Sequence, residues 1–426
     1  MVRENGEKAD SLSVEGNTDE EGWNIEPSTA AKKCRNYVRQ IVENMECKPN
    51  PKKPFINLSL GDPAVFGNLN PCKEIIDSLV EVINGGSYNG YTAVVGHQSG
   101  RQAVAEHLSS DGVKFAHEDV ILCNGCTNAL DICITVLTDA TKGHNLLIPR
   151  PEFPIYRTIA GTLGVNVRSY NLIPEKKWEV DLEHLKSQID KNTKAIIVNN
   201  PLNPAGSNYS REHLMDILEI ARVHRIPIIA DEIYGGLVFP GKKFVPIASL
   251  GTDVPILICG GLGKQFLVPG WRMGWVAIYD KLNVMKNLRP FLTCLCQKSL
   301  GSNTLIQGAL PQIFKRTPQS FYQGVTEKLS HQAMFAFDKL SKIKGLTAYL
   351  PEATLYMVIQ FDMKHFPFKD DIDLIKRLME EESIFCLPGE CFGIPSFARI
   401  VITPPIEVIE EACKRINQFC NRYYVE

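Results

Sequence analysis

Short runs of Ile, Leu and Val recur through the middle of the chain, separated by stretches whose apolar positions fall three and four apart. The runs are Asn145–Ile148, Ala195–Val198, Ile226–Ala230, Pro255–Cys259 and Val276–Tyr279. Strands that are apolar on both faces are covered on both faces, as parallel strands are between helical layers. Two intervening stretches read as helices. In Arg211–His224, Leu214, Ile217, Leu218 and Ala221 keep the i, i+3, i+4, i+7 spacing, with Ser210 as N-cap. In Thr127–Leu137, Leu130, Cys133, Ile134 and Leu137 share a face. Such alternation predicts an α/β domain with a mostly parallel sheet. After about residue 300 the texture changes to long helical segments of mixed charge with strand-like runs at Thr354–Phe361 and Ala398–Thr403. The last helix, Pro405–Asn421, carries Ile406, Ile409, Cys413, Ile416 and Cys420 on one stripe. These features predict a smaller α+β domain.

With 426 residues the chain exceeds what a single hydrophobic core usually serves. The expected division is an acidic, mobile tail over 1–30 and an N-terminal segment over 31–85 packing with the small domain. A large domain follows over 86–300 and the small domain over 301–426. The net charge of -2 argues against a nucleic-acid or anionic-membrane partner. Met1–Glu21 has neither the apolar stretch of a secretory signal nor the arginine-rich character of a mitochondrial presequence. No apolar run reaches the length of a membrane span. The 13 cysteines are scattered, so a cytoplasmic protein with reduced thiols is expected. Cys123 and Cys126 form an isolated Cys-x-x-Cys, insufficient for a four-ligand zinc site, and no metal is expected.

Ligands of open α/β sheets bind beyond the carboxyl ends of the strands, so the polar residues that end each apolar run are the candidates. Ala195–Val198 leads to Asn203, Ile226–Ala230 to Asp231 and Tyr234, and Pro255–Cys259 to Lys264. An amide, a carboxylate, a phenol and an amine on one rim match what pyridoxal 5'-phosphate needs. That cofactor requires an amine for its aldehyde, a carboxylate for its pyridine nitrogen, donors to its ring oxygen and an anion site for its phosphate. Lys264 is the candidate amine, Asp231 the nitrogen partner, and Asn203 and Tyr234 the ring-oxygen donors. The phosphate site is expected at the helix opening with Gly125, Cys126 and Thr127, with Arg272 adding a charge-assisted contact.

The segment Gly263–Trp275, GKQFLVPGWRMGW, resembles the lysine motif of fold-type I aminotransferases, and in particular the tyrosine aminotransferase family. Supporting pieces run in the family's order: Leu58–Pro63, Tyr88–Tyr91, Asn171–Lys176, Asn200–Gly206 and Ala230–Gly235. The resemblance covers roughly residues 33 to 423. It implies a large domain with a mainly parallel seven-stranded sheet and a small domain built from both chain ends. It implies that Lys264 holds the cofactor as a Schiff base and carries the substrate's α proton, and that Phe153 stacks on the ring. Arg399 is implied to grip the substrate α-carboxylate, with Gly61 and Asn203 beside it. Tyr91 is implied to reach the phosphate of a neighbouring subunit, which requires a homodimer with composite active sites. The implied reaction is amino transfer from L-tyrosine to 2-oxoglutarate in aromatic amino acid catabolism. A broader-specificity aminotransferase, a carbon–sulfur lyase on the same scaffold and a non-catalytic cofactor-binding descendant are the alternatives. The chain departs from the family pattern at Glu152, Gly261, Gly263, Gln265, Phe266, Glu352 and Ala398. Of these, Glu152 would weaken anion binding if its carboxylate pointed inward.

Overall fold

The computed structural model describes residues 25–45, 47–110 and 112–426. Most of the expected tail, residues 1–24, therefore lies outside the described residues. Its last part is ordered, with Ser28 capping a short helix over Thr29–Lys33.

The strands in chain order are β1 (Ile56–Asn57), β2 (Val120–Cys123), β3 (Asn145–Arg150), β4 (Asn166–Ile173), β5 (Glu179–Val180), β6 (Thr193–Asn199) and β7 (Ile228–Asp231). They continue with β8 (Ile256–Gly261), β9 (Gly274–Tyr279), β10 (Leu346–Tyr349), β11 (Tyr356–Phe361), β12 (Ile384–Phe385), β13 (Leu387–Pro388) and β14 (Phe397–Val401). The large sheet has the order β2-β9-β8-β7-β6-β3-β4-β5. Its centre, β8-β7-β6-β3-β4, is parallel, whereas β9 runs against both its neighbours. This is the mainly parallel sheet that was expected, with eight strands instead of seven. The eighth, β5, is a two-residue antiparallel addition at the edge, too short to leave a period in the sequence.

The continuous apolar runs form strands for the physical reason that made them visible, because both faces are buried. Ile196, Val198, Ile228, Ala230 and Ile258 pack into the core on one side, and Ile197, Ile229, Leu257 and Cys259 into the core on the other. Each fully buried Ile or Leu contributes about 1.5–3 kcal/mol relative to exposure. The helix Arg211–His224 forms with the expected limits, and the Ser210 hydroxyl accepts from His213 N–H. The helix Cys126–Leu137 starts directly after β2, so its N-terminus faces the same rim as the ends of β7 and β8.

A second sheet, β10-β11-β14-β13, is antiparallel, and β1 pairs with β12 beside it. Ile56, Leu58 and Leu69 join the core under this sheet. Ile75 and the helix Thr304–Arg316, through Ile306, Ala309, Leu310 and Ile313, join the core of the large sheet instead. The segment that leads into β11 is tied to the chain that follows β7 by an isolated bridge between Val238 and Ala353. The two sheets thereby close a cavity over the carboxyl ends of β6, β7 and β8.

Candidate active site

The cavity has a volume of about 470 Å³. Lys264, Asp231, Asn203, Tyr234, Phe153, Gly125, Cys126, Thr127, Arg272, Gly61 and Arg399 all line it. Residues from sequence positions 61 to 399 thus meet in one place. Tyr91 does not; it stands on the surface, 92% exposed.

Asp231 ends β7 and is 1% exposed. Burial raises its carboxyl above the ordinary range, and Tyr156, Ile233 N–H, Cys126 and Lys264 oppose that rise. The Tyr156 hydroxyl donates to Oδ2 at 2.6 Å, and Ile233 N–H and the Cys126 thiol approach Oδ1 at 3.4 and 3.7 Å. Burial and the neighbouring Asp231 push both Tyr156 and Cys126 well above their ordinary values, so both remain protonated donors. Cys123 turns away, its thiol pointing to Ile121 O at 3.6 Å, so the Cys-x-x-Cys does not act as a unit. Among the described residues no group of three His, Cys, Asp or Glu is placed to hold a metal ion.

Lys264 lies three residues beyond β8, and its Nζ donates to Gly61 O. The Tyr234 hydroxyl is buried beside it, with Nζ 6.0 Å from the Tyr234 ring centre. Burial, then the adjacent Tyr356, push Tyr234 well above the ordinary tyrosine value. Asn203 is held by a bond from its N–H to Asn199 Oδ1, and its own Oδ1 accepts from Arg399 Nη1 at 3.1 Å.

An anion cradle opens at the helix Cys126–Leu137. The N–H groups of Cys126 and Thr127, in its first turn, have no partner among the described residues. Gly274 of β9 packs against this turn so closely that a Cβ would fall 2.4 Å from Gly125 C. The Arg272 guanidinium lies over Gly125, where a Cβ would fall 2.6 Å from Nη2, and bonds Pro269 O and Asn124 O at 3.1 and 3.4 Å. Glu152 does not enter this cradle. Its carboxylate takes both prongs of Arg157, at 2.8 and 2.7 Å, and its N–H bonds Phe392 O at 3.1 Å. The expected weakening of anion binding therefore has no geometric basis.

The opposite wall comes from the second sheet and the N-terminal segment. Arg399 is 5% exposed, and its Nη2 donates to Ser59 O while its Nε has no partner among the described residues. Tyr356, Phe392 and Leu387 complete this wall, with Asn36, Val38 and Arg39 at the mouth. Tyr156, Tyr356 and Arg39 were not among the candidates from sequence. Tyr156 sits one turn after Phe153, a spacing that places it near the rim but gives no sign of its bond to Asp231.

The sequence profile of the class I and II aminotransferases matches residues 53–416. Tyrosine aminotransferase from Mus musculus is 46% identical over 404 residues, 94% of this chain and 88% of the relative. Tyrosine aminotransferase from Dictyostelium discoideum is 42% identical over 418 residues, 96% of this chain and 99% of the relative. The crystal structure of tyrosine aminotransferase from Leishmania infantum superposes with a TM-score of 0.90 at 32% identity, covering 95% of this chain and all of that one.

Proposed function

The chain belongs to the class I and II aminotransferase family and is a transaminase, and we propose that it moves the amino group of L-tyrosine to 2-oxoglutarate. The products are 4-hydroxyphenylpyruvate and L-glutamate, a step of aromatic amino acid breakdown. The observation that carries this reading is the facing pair of walls: Lys264 and the buried Asp231 on one side, the buried Arg399 on the other. The relatives named tyrosine aminotransferase support the donor. Phe153, Phe392, Leu387 and Leu60 give an apolar lining for an aromatic side chain, and the exposed Arg39 at the mouth suits the distal carboxylate of the acceptor.

The family implies pyridoxal phosphate, and the residues present fit it. A buried carboxylate suits a protonated ring nitrogen, unpartnered N–H groups with Arg272 suit a phosphate, and an amine lines the same cavity. In this reading Lys264 is the attachment point, and Asn203 and Tyr234 donate to the ring oxygen. Phe153 packs on the ring, and Gly125, Cys126, Thr127 and Arg272 hold the phosphate. When bound, the cofactor supplies an electron sink for negative charge at the substrate's α carbon. Lys264 Nζ would take the α proton as a general base and then give it up as an acid. The donors to Asp231 oppose the rise that burial causes and so favour a charge that would face the ring nitrogen. Arg399 clamps the α-carboxylate beside Gly61 and Asn203, which orients the α C–H bond toward Nζ.

The reading includes a homodimer, in which Tyr91 reaches the partner's phosphate site. Exposed Val80 and Ile83 on the helix Lys73–Gly85 and the exposed Tyr91 give a surface for it. It also places the protein in the cytoplasm, which 13 free cysteines suit. None of the described helices is long and apolar enough to cross a membrane.

The test is an assay of purified protein with pyridoxal phosphate, L-tyrosine and 2-oxoglutarate. Equimolar glutamate and 4-hydroxyphenylpyruvate are expected, with faster turnover than with L-alanine or L-aspartate. Pyruvate and ammonia from a cysteine conjugate, with no need for an oxo acid, would instead mark an eliminating enzyme.

A further inference from the structure

Tyr356 opens β11 in the second sheet, 2% exposed, yet it touches the site at three points. Its hydroxyl lies 2.8 Å from the Tyr234 hydroxyl. Its ring face carries the Arg399 guanidinium, with Cζ 4.2 Å from the ring centre. Its hydroxyl also fills the space beside Gly61, where a Cβ would fall 2.1 Å away, and the Gly61 carbonyl is the group that accepts from Lys264.

The backbone leading to Tyr356 is locked to the large-sheet side. Phe239 N–H bonds Glu352 O at 2.9 Å, and Glu352 and Ala353 N–H both bond Gly206 O, at 2.9 and 3.0 Å. Thr354 N–H bonds Leu237 O at 3.0 Å, and the Thr354 hydroxyl accepts from Tyr356 N–H at 3.2 Å. Gly206 permits the crossing: its φ is +69°, and a Cβ there would fall 2.5 Å from Pro351 Cβ. A side chain so supported keeps its place without help from a ligand.

We propose that Tyr356 is a positioning residue that links the carboxylate grip of Arg399 to the ring-oxygen contact of Tyr234. The proposal rests on the roles of Arg399 and Tyr234 given above. Two phenols in contact must decide which donates. Burial and Asp62 push Tyr356 up, but Lys264, Arg399 and the bond with Tyr234 together outweigh them and leave it below the ordinary tyrosine value. Tyr234 lies well above that value. The positive charges of Lys264 and Arg399 polarise the Tyr356 O–H, which favours Tyr356 as the donor to Tyr234 and leaves the Tyr234 proton for the ring oxygen. A substrate carboxylate on Arg399 cancels part of the positive charge that makes Tyr356 acidic. Donation to Tyr234 then weakens, and the change is felt beside Lys264.

The experiment compares wild type and Tyr356→Phe in two titrations. In the holoenzyme, the visible band of the lysine-bound cofactor is titrated with pH, with and without 3-phenylpropanoate, a carboxylic acid that has no amino group to react. The expected result is a band in both proteins, a midpoint that the acid shifts in wild type, and a shift at least halved in Tyr356→Phe. In cofactor-free protein, near-ultraviolet tyrosinate absorbance is expected to show one tyrosine ionising below the ordinary value of about 10. That tyrosine should move upward when the acid binds and be missing from Tyr356→Phe. Equal acid-induced shifts in the two holoenzymes, or a wild-type protein with no tyrosine ionising early, would overturn the proposal. The wild-type titration decides the matter even if the variant does not fold. Absence of any visible band in wild type would instead count against the cofactor reading, while the tyrosinate titration still reports on Tyr356.

Discussion

The two buried charged groups on the two walls, Asp231 and Arg399, differ in how far they are satisfied before any ligand arrives, while the cradle N–H groups of Cys126 and Thr127 stay open. On the large-sheet wall, Asp231 already has the Tyr156 hydroxyl, Ile233 N–H and the Cys126 thiol around it. On the second-sheet wall, Arg399 is also buried, but its Nε is left without a partner among the described residues. An ionised carboxylate that must face a resident ring nitrogen is held ionised by fixed donors. A guanidinium that must take and release a carboxylate at every turnover keeps donor capacity free. In the proposed function the contrast separates a held charge from a free one: Asp231 would serve the resident cofactor, and Arg399 would serve the exchanging substrate.

Substitution on the exchanging wall should have the largest effect. Arg399→Lys keeps the charge but loses the planar fork. Loss of a charge-assisted bond worth about 1.5–3 kcal/mol should raise the KM for L-tyrosine by roughly 10- to 100-fold. The visible band should be unchanged, and a variant with normal KM would break the comparison. On the permanent wall, Tyr156→Phe removes one donor from Asp231. Cofactor affinity, followed by fluorescence titration, should fall by roughly tenfold, while the KM for tyrosine at saturating cofactor stays put. At the exposed mouth, Arg39→Gln should raise the KM for 2-oxoglutarate by only roughly two- to fivefold, as for a solvated charge pair, and spare that for tyrosine.

The smallest effect is a control. Glu232 follows Asp231 directly but has a single donor among the described residues, Ile247 N–H at 2.9 Å. Burial pushes its carboxyl from 4.5 to about 8, the Ile247 bond opposes this, and Asp231 adds to it. The folded protein therefore keeps a proton that the unfolded chain releases, so stability declines as pH rises from 4.5 to about 8. Thermal melts of Glu232→Gln across that range should show a shallower decline. An unchanged slope would mean that Glu232 is not what sets it, and that the contrast between this carboxyl and the well-partnered Asp231 is smaller than drawn.

The wall of strand ends was the legible one. Asn203, Asp231 and Lys264 each follow an apolar run, and the rule that ligands bind beyond strand ends in α/β sheets singles them out without knowledge of their neighbours. Arg399 could be named only through a resemblance, because it lies in the middle of a strand. Its place depends on the pairing of β11 with β14, in which Val358 opposes Arg399 and Tyr356 opposes Val401. Nothing local encodes that register. Tyr156 was missed for a related reason, since its partner Asp231 lies 75 residues further on and the hydroxyl reaches it only once helix and sheet have packed. The helix Thr304–Arg316 has the amphipathic pattern of any packed helix, and the pattern does not say which of two cores it joins. The extra strand β5 is too short to show alternation.

The most direct test of the central claim is the absorption spectrum of the purified holoenzyme, recorded before and after L-tyrosine and then after 2-oxoglutarate. The account predicts a visible band that bleaches with tyrosine, returns with 2-oxoglutarate and is absent from Lys264→Ala. A wild-type protein that shows no band after incubation with pyridoxal phosphate, or a Lys264→Ala variant that keeps it, would contradict the account.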